Sequence, residues 1–254
     1  MSRYDCIILI AVRLKSHRLP KKALSIIEDQ TLIEHLIDRM KLVKNSQKII
    51  LCTSTNPQDT PLEEIANKKD IECFRGSEDN VIDRFIKAVE KYNPKHIVRT
   101  TGDNCLVSFE FLDYAILKHE ENKVDYTTTE QLPRGGKAEV ISFKTLKRLE
   151  KIAEDPNASE YMTWLLDQPE YFNVQKLDVP EDLKRPNYRI TCDTKDDLSL
   201  IRAIHKRLYK GNPIRLREVI ELLDNSDLTL INQHIDQKSK TDLSHLNLNL
   251  KDLK

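Results

Sequence analysis

The residues from Cys6 to Val12 (Cys-Ile-Ile-Leu-Ile-Ala-Val) form an unbroken apolar run, short, rich in β-branched side chains and closed by the charged stretch that starts at Arg13. A run of this kind has no polar face to offer water, so it reads as an interior strand of a parallel sheet covered on both sides. The next hundred or so residues fit such a sheet. Thr31 and Glu34 have the T-x-x-E spacing of a capping box, and Leu32, Ile33, Leu36, Ile37, Met40 and Val43 recur at helical spacing. Lys48 to Thr53 predicts a second strand, Thr60-Pro61 with Glu63 the start of a helix, Ile71 to Phe74 a short strand, and Val81, Ile82, Phe85, Ile86 and Val89 a further helix. Lys95 to Thr101 is the next strand; it runs into Gly102-Asp103-Asn104, and Phe109, Leu112, Ala115 and Ile116 mark a helix ending near Glu121. Strand and helix in steady alternation predict an α/β, doubly wound, mainly parallel sheet of Rossmann-like type, with ligands held at the carboxyl ends of its strands. That directs attention to the loops Arg13 to Lys22 and Gly102 to Leu106.

The rhythm changes at about Val124. A Thr-rich stretch to Thr129, Pro-Arg-Gly-Gly at 133–136 and Glu139 to Phe143 suggest a small hairpin-like β excursion or lid over about 124–187. Tyr188 to Cys192 then predicts a strand returning to the main sheet, followed by a helix through Leu198, Ile201, Ile204 and Leu208 and a last one near Arg215 to Leu223. Residues 1–237 read as a single domain. Residues 238–254, polar with alternating Leu246, Leu248 and Leu250, read as a tail that is either a loose end or a partner-binding strand.

Composition removes several functions. Only 5 of 254 residues are glycine, well under the usual ~7%. Gly76, Gly102, Gly135, Gly136 and Gly211 allow neither a G-x-G-x-x-G turn nor a Walker phosphate loop. The 41 basic residues balance 41 acidic ones, without the basic excess of a nucleic-acid binder or a membrane-surface protein. Cys6, Cys52, Cys73, Cys105 and Cys192 are odd in number and widely spaced, which suits buried free thiols better than a disulfide framework or a zinc site. The histidines show no metal-ligand spacing. With no cleavable leader at Met1-Ser2-Arg3-Tyr4-Asp5 and no long apolar span, the expectation is a soluble cytoplasmic protein with no nucleic-acid partner and no membrane insertion.

The chemistry concentrates at strand ends. Arg13-Leu-Lys-Ser-His-Arg-Leu-Pro-Lys-Lys22 holds six cationic residues in ten if His17 is protonated. Such a loop suits a polyphosphate, since Arg grips phosphate oxygens with a fork and Lys supplies a point charge; an exposed solvated loop would have the same composition. Asp103 and Asp193 each stand on the turn after an apolar stretch. Two carboxylates from separate strand ends can share one Mg²⁺, and equally one can cap a turn and the other a helix. Cationic loop, metal and triphosphate together would furnish in-line phosphoryl or nucleotidyl transfer. Cys105 has no base paired with it in sequence and reads as a buried thiol.

These stretches also carry a resemblance. Arg13-Leu-Lys-Ser-His-Arg-Leu-Pro-Lys-Lys-Ala-Leu24 resembles the A-R-x-x-S-x-R-L-P-G-K-x-L signature of the cytidylyltransferase family, bacterial enzymes that activate acidic sugars. The likeness is to the branch of spore coat polysaccharide biosynthesis protein F, with CMP-Kdo synthetase and acylneuraminate cytidylyltransferase further off. It continues through Thr31 to Leu36, Thr53 to Pro57, Phe74 to Arg84, Arg99 to Asp103, Pro133-Arg-Gly135 with Glu139-Val140, and Thr191 to Thr194 with Asp197-Leu198, nearly the whole chain to about residue 237. The fold it implies is the nucleotide-diphospho-sugar transferase type. Ala11, Arg13, Ser16, Arg18, Lys22, Gly76, Ser77, Asp83 and Arg84 match nucleotide-binding positions. Arg13 and Lys22 would stabilise charge at the α-phosphate and the leaving pyrophosphate and, with Asp103, make up the catalytic set. Asp103 and Asp193 match the magnesium-binding pair; Arg134, Glu139 and Glu160 fall where relatives face the sugar; and the 124–187 excursion is where relatives form a homodimer.

The chain departs from the pattern at Lys15 and Lys21, where relatives commonly carry Gly, and at Asn80, Asn104-Cys105 and Tyr161. The two lysines imply a loop that grips phosphate by side-chain charge more than by close backbone approach. The activity implied is a Mg²⁺-dependent nucleotidyltransferase joining CTP to a sugar acid or sugar phosphate, releasing pyrophosphate, for a surface polysaccharide. The alternatives are a guanylyl- or uridylyltransferase on a sugar 1-phosphate and a degenerate, non-catalytic nucleotide-binding homologue. A metal-dependent glycosyltransferase ranks low, because the chain contains no D-x-D.

Overall fold

The structure is a computed structural model describing residues 4–16, 18–235 and 248–251. In chain order its strands are β1 (Cys6–Ala11), the two residues each of β2 (Ile26–Ile27) and β3 (Gln30–Thr31), then β4 (Lys48–Ser54), β5 (Glu72–Gly76), β6 (His96–Thr101), β7 (Tyr126–Thr128), β8 (Glu139–Ser142) and β9 (Val174–Lys176). β2 and β3 pair only with each other; the rest form one seven-stranded sheet of order β5-β4-β1-β6-β8-β7-β9. β1 lies inside it, parallel to β4 and β6, as its apolar sequence requires.

Helices cover both faces, and β1 shows how. Ile8 and Ile10 point to one side, into a core shared with α1 (Leu32–Met40), α4 (Phe109–Asn122), α7 (Lys195–Leu208) and α8 (Leu216–Asp224). Ile7 and Leu9 point to the other, against α3 (Val81–Val89), α5 (Phe143–Ile152) and α6 (Met162–Leu166). α2 (Thr60–Lys68) follows β4 and buries Leu62 and Ala66. Thr31 and Glu34 form the expected reciprocal capping box on α1, and Asn80 caps α3 by accepting from Asp83 N at 3.0 Å.

The excursion after α4 is built into the sheet itself. β8 runs antiparallel to β6, with Arg99 opposite Glu139; β7 is antiparallel to β8 and parallel to β9. The edge of β6 carries backbone donors and acceptors that need partners, and β8 supplies them, its own far edge covered in turn by β7 and β9. Helix α5, which the sequence reading did not anticipate, follows β8 directly and buries Phe143, Leu146, Leu149 and Ile152 at every third position.

Tyr188 to Cys192 is a correction: it forms a single parallel bridge, Arg189 to Arg134, and no strand. Its bonds go Arg134 N to Tyr188 O and Ile190 N to Arg134 O, both 2.8 Å, and then Cys192 N to Asp103 O at 2.9 Å. The opposing segment turns away at once through Gly135, whose φ is +95° and whose hydrogen faces the backbone at Thr191. Of the tail, residues 248–251 lie against their own chain, with Leu250 buried and bridged to Ala153; Leu246 lies outside the described residues. No helix among the described residues is long and apolar enough to cross a membrane.

Candidate active site

Three segments meet at one end of the sheet, the first two of them leaving strands. The first is the loop after β1. Buried Asp59 fixes its start by accepting from Leu14 N at 2.8 Å, and Lys21 N closes it onto Leu14 O at 3.1 Å. Lys21 stands in the left-handed region at φ +55°, the backbone shape that glycine adopts at least cost. This turn aims Lys22 inward. The second segment leaves β6 at Gly102, which bonds Ala11 O at 2.9 Å and approaches Val12 so closely that a Cβ would lie 2.5 Å from Val12 Cγ2. Thr101 Oγ1 then donates to Asp103 Oδ1 at 2.6 Å. The third segment presents Asp193 just before α7, whose N-terminus is capped by Thr194 and Asp197.

The Lys22 ammonium bridges the two aspartates, 2.8 Å from Asp103 Oδ2 and 2.7 Å from Asp193 Oδ1. Burial works to lower its pKa, but Asp103 and then Asp193 outweigh it and hold the ammonium above its ordinary value. Burial likewise favours protonation of Asp193; Lys22, then Arg18 and Arg189, overcome this and push its pKa down. Arg18 Nη2 lies 3.2 Å and Arg189 Nη2 3.0 Å from Asp193 Oδ2. Lys22 and Asp193 are thereby held ionised near neutrality.

A cavity of about 570 Å³ opens over this pair, lined by Arg13, Ser16, Arg18, Arg99 and Tyr161 among others. Ala11, Arg84 and Glu160 also line it. Arg13 donates to Glu78 O at 2.6 Å and lies 3.7 Å from both Asp79 and Glu160, while Lys15 pairs with Glu78 at 3.0 Å. Arg84 is fully buried and donates to Ser77 O at 2.9 Å; Gly76, where a Cβ would crowd Phe74 and Arg84, and Ser77 support it from behind. Asp83 is not among the lining residues and pairs with Lys87 at 2.8 Å. Glu139 is buried and meets the wall of the cavity only through Arg99, at 3.1 Å. Arg134 stands beside this centre: burial, then Arg189, lowers its pKa, while Asp193 raises it. His17 lies outside the described residues.

The donor set suits a small hard divalent cation. Carboxylate oxygens from two separate segments converge on one positive point, the Lys22 ammonium, and both carboxylates border an open cavity. No group of three or more His, Cys, Asp or Glu side chains placed to hold a metal ion occurs among the described residues. A cation here would take few protein ligands and fill its shell with water or phosphate oxygens, the habit of Mg²⁺.

Sequence reasoning missed the groups that hold this centre. Arg189, buried within Asn-Tyr-Arg-Ile-Thr-Cys, and Arg99, within His-Ile-Val-Arg-Thr-Thr, are each a cation inside a strand-like apolar stretch, a signal that could have marked them. Asp59 and Asn232 carry no such signal.

Residues 7–220 match the sequence profile of the family described as Cytidylyltransferase. The chain belongs to the cytidylyltransferase family. It is thus an enzyme, a nucleotidyltransferase. This cytidylyltransferase family member is similar to uncharacterized protein MJ1063 of Methanocaldococcus jannaschii, 35% identical over 233 residues, which cover 91% of this chain and 96% of that protein. It is also similar to the spore coat polysaccharide biosynthesis protein SpsF of Bacillus subtilis, 32% identical over 228 residues and covering 87% and 95% of the two chains. Among solved structures, a cytidylyltransferase from Leptospira borgpetersenii superimposes with a TM-score of 0.82 at 25% identity, covering 92% of this chain and 98% of that one. The fold is shared with CMP:2-keto-3-deoxy-manno-octonic acid synthetase complexed with CTP (TM-score 0.63, 14% identity, covering 80% and 99%).

Proposed function

We propose that this cytidylyltransferase family member transfers a cytidylyl group from CTP to an acidic sugar, giving a CMP-sugar and pyrophosphate for a surface polysaccharide. The observation that carries the reading is the convergence of Lys22, Asp103 and Asp193 beneath a cavity rimmed by Arg13, Lys15 and Arg18. The sugar hydroxyl attacks the α-phosphorus, the bond to the β-phosphate oxygen breaks, and the hydroxyl proton leaves to solvent or base. The arginines and lysines of the loop bind the triphosphate and neutralise the charge that grows on the leaving pyrophosphate. Asp103 and Asp193 would hold Mg²⁺, which supplies charge neutralisation at the reacting phosphate. Arg134, Glu139 with Arg99, and Glu160 stand on the acceptor side. The homodimer implied by the family resemblance belongs to the same proposal, and light scattering tests it.

Incubating the protein with each nucleoside triphosphate, Mg²⁺ and a panel of sugar acids and sugar 1-phosphates, and following pyrophosphate, tests the reaction. Turnover with CTP and a sugar acid is expected. Turnover only with GTP or UTP and a sugar 1-phosphate would replace the proposal, and silence across the panel would refute it. Asp103→Asn is expected to lower turnover by at least ~100-fold, the scale of losing one charge-stabilising group, with an unchanged circular dichroism spectrum.

A further inference from the structure

Asp193 is held by a chain of contacts that ends far away in sequence. Its Oδ2 accepts from Arg189 Nη2 at 3.0 Å, and Arg189 in turn meets both oxygens of Asp197, Nε at 2.8 Å and Nη2 at 2.9 Å. Asp197 is fully buried and also accepts from the backbone N–H groups of Asp193 and Thr194, at 2.9 and 3.0 Å. One more donor completes this hub. Asn232 Nδ2 lies 2.8 Å from Asp197 Oδ1 and 3.0 Å from the Arg189 carbonyl. Asn232 is 2% exposed and follows the 3₁₀ turn Asp227–Ile231, beyond residue 220 where the family match stops.

The geometry gives that single amide a particular reach. It ties the side chain of Asp197 to the main chain of Arg189, the two groups between which the Arg189 guanidinium must be held to face Asp193. Without it, Asp197 Oδ1 keeps Arg189 Nε alone, the Arg189 carbonyl loses a buried donor, and the guanidinium is free to shift toward either aspartate. The Asp193 carboxylate would then no longer be fixed relative to Asp103 across the cavity.

We propose that Asn232 is a positioning residue for the cation site of Asp103 and Asp193, acting through Asp197 and Arg189. This inference rests on the divalent-cation reading of the pair. Its test is Mn²⁺ binding to the full chain in the presence of CTP, followed by electron paramagnetic resonance, with a readout that needs no turnover. Asn232→Ala is expected to weaken Mn²⁺ by about 10-fold, the lower end of what loss of a partner behind a metal ligand produces. Asn232→Ser, which keeps a shorter donor, is expected to fall between, and serves also if the alanine variant does not fold. Leu228→Ala disturbs the same turn without touching the hub and is expected to lower thermal stability while leaving Mn²⁺ affinity unchanged. In steady state the Asn232 variants should raise the Mg²⁺ activation constant and leave the KM for CTP at saturating Mg²⁺ alone. Equal Mn²⁺ affinity in folded Asn232 variants and unaltered protein would overturn this inference only. No Mn²⁺ binding by the unaltered protein with CTP present would overturn the cation reading and this inference with it.

Discussion

Lys21 and Lys15 depart from the family pattern in the same way in sequence, yet they differ in structure. Lys21 keeps the left-handed φ of +55° that a glycine would adopt, so the loop retains the backbone shape while carrying a side chain that strains it. Lys21→Gly should therefore stabilise the fold by about 1 kcal/mol, read as a higher denaturation midpoint. Lys15 is instead a charge, paired with Glu78 at 3.0 Å on the rim. A triphosphate would exchange that exposed pair for a phosphate contact. Lys15→Gly is thus expected to weaken CTP binding and reduce its salt dependence, and titration at two ionic strengths showing no change in either would mean that the backbone holds the phosphates. The positions of these lysines were legible in the sequence; the difference between them was not, because φ is set by the closure of Lys21 N on Leu14 O.

Between elements, buried histidines and one glycine carry weight that periodicity does not reveal. His119, on α4, is wedged between Thr127 of β7 and Ser142 of β8, 2.8 and 3.2 Å from their hydroxyls, and burial first, then His96, depresses its pKa to about 3. His205, on α7, meets His35 edge to face and is depressed to about 4, again by burial first. Both are neutral in the folded chain and take up protons near pH ~6.5 when unfolded. Acidification through that value therefore charges the unfolded state first. Stability is expected to fall as pH drops from about 6.5 toward 4, with His119→Gln flattening the slope in urea titrations. Gly135 joins the Arg134 turn to the segment leading to Asp193, and an alanine Cβ there would lie 2.6 Å from Thr191 N at a φ of +95°. Gly135→Ala should cost at least about 2 kcal/mol by urea denaturation, since both the strain and the clash involve backbone. The helices with strong periodic faces were readable from sequence. α5 was not, and although the 124–143 stretch was read as a β excursion, its insertion into the main sheet was not, because the antiparallel pairing of β8 with β6 is a tertiary matter.

At the scale of the whole molecule, strand–helix alternation pointed to the loops where the candidate site lies. A parallel sheet with β1 inside it puts the loops after β1 and β6 side by side, and Lys22 meets Asp103 there across 81 residues of chain. Asp193 joins them from 171 residues away, and no local signal fixes such a meeting; only the folded sheet does. The supporting hub of Arg189, Asp197 and Asn232 lies one step further from sequence, since an asparagine near a chain's end says nothing of what it will touch. In the function proposed for this chain, the meeting point of Lys22, Asp103 and Asp193 is where CTP and a divalent cation are brought together. A crystal structure with CTP and Mn²⁺, using the anomalous signal of the metal, probes that point itself. A peak bridging Asp103 and Asp193 is expected, with the triphosphate along Arg13, Arg18 and Lys22. A nucleotide bound outside the cavity, or a metal peak that touches neither aspartate, would contradict the proposal.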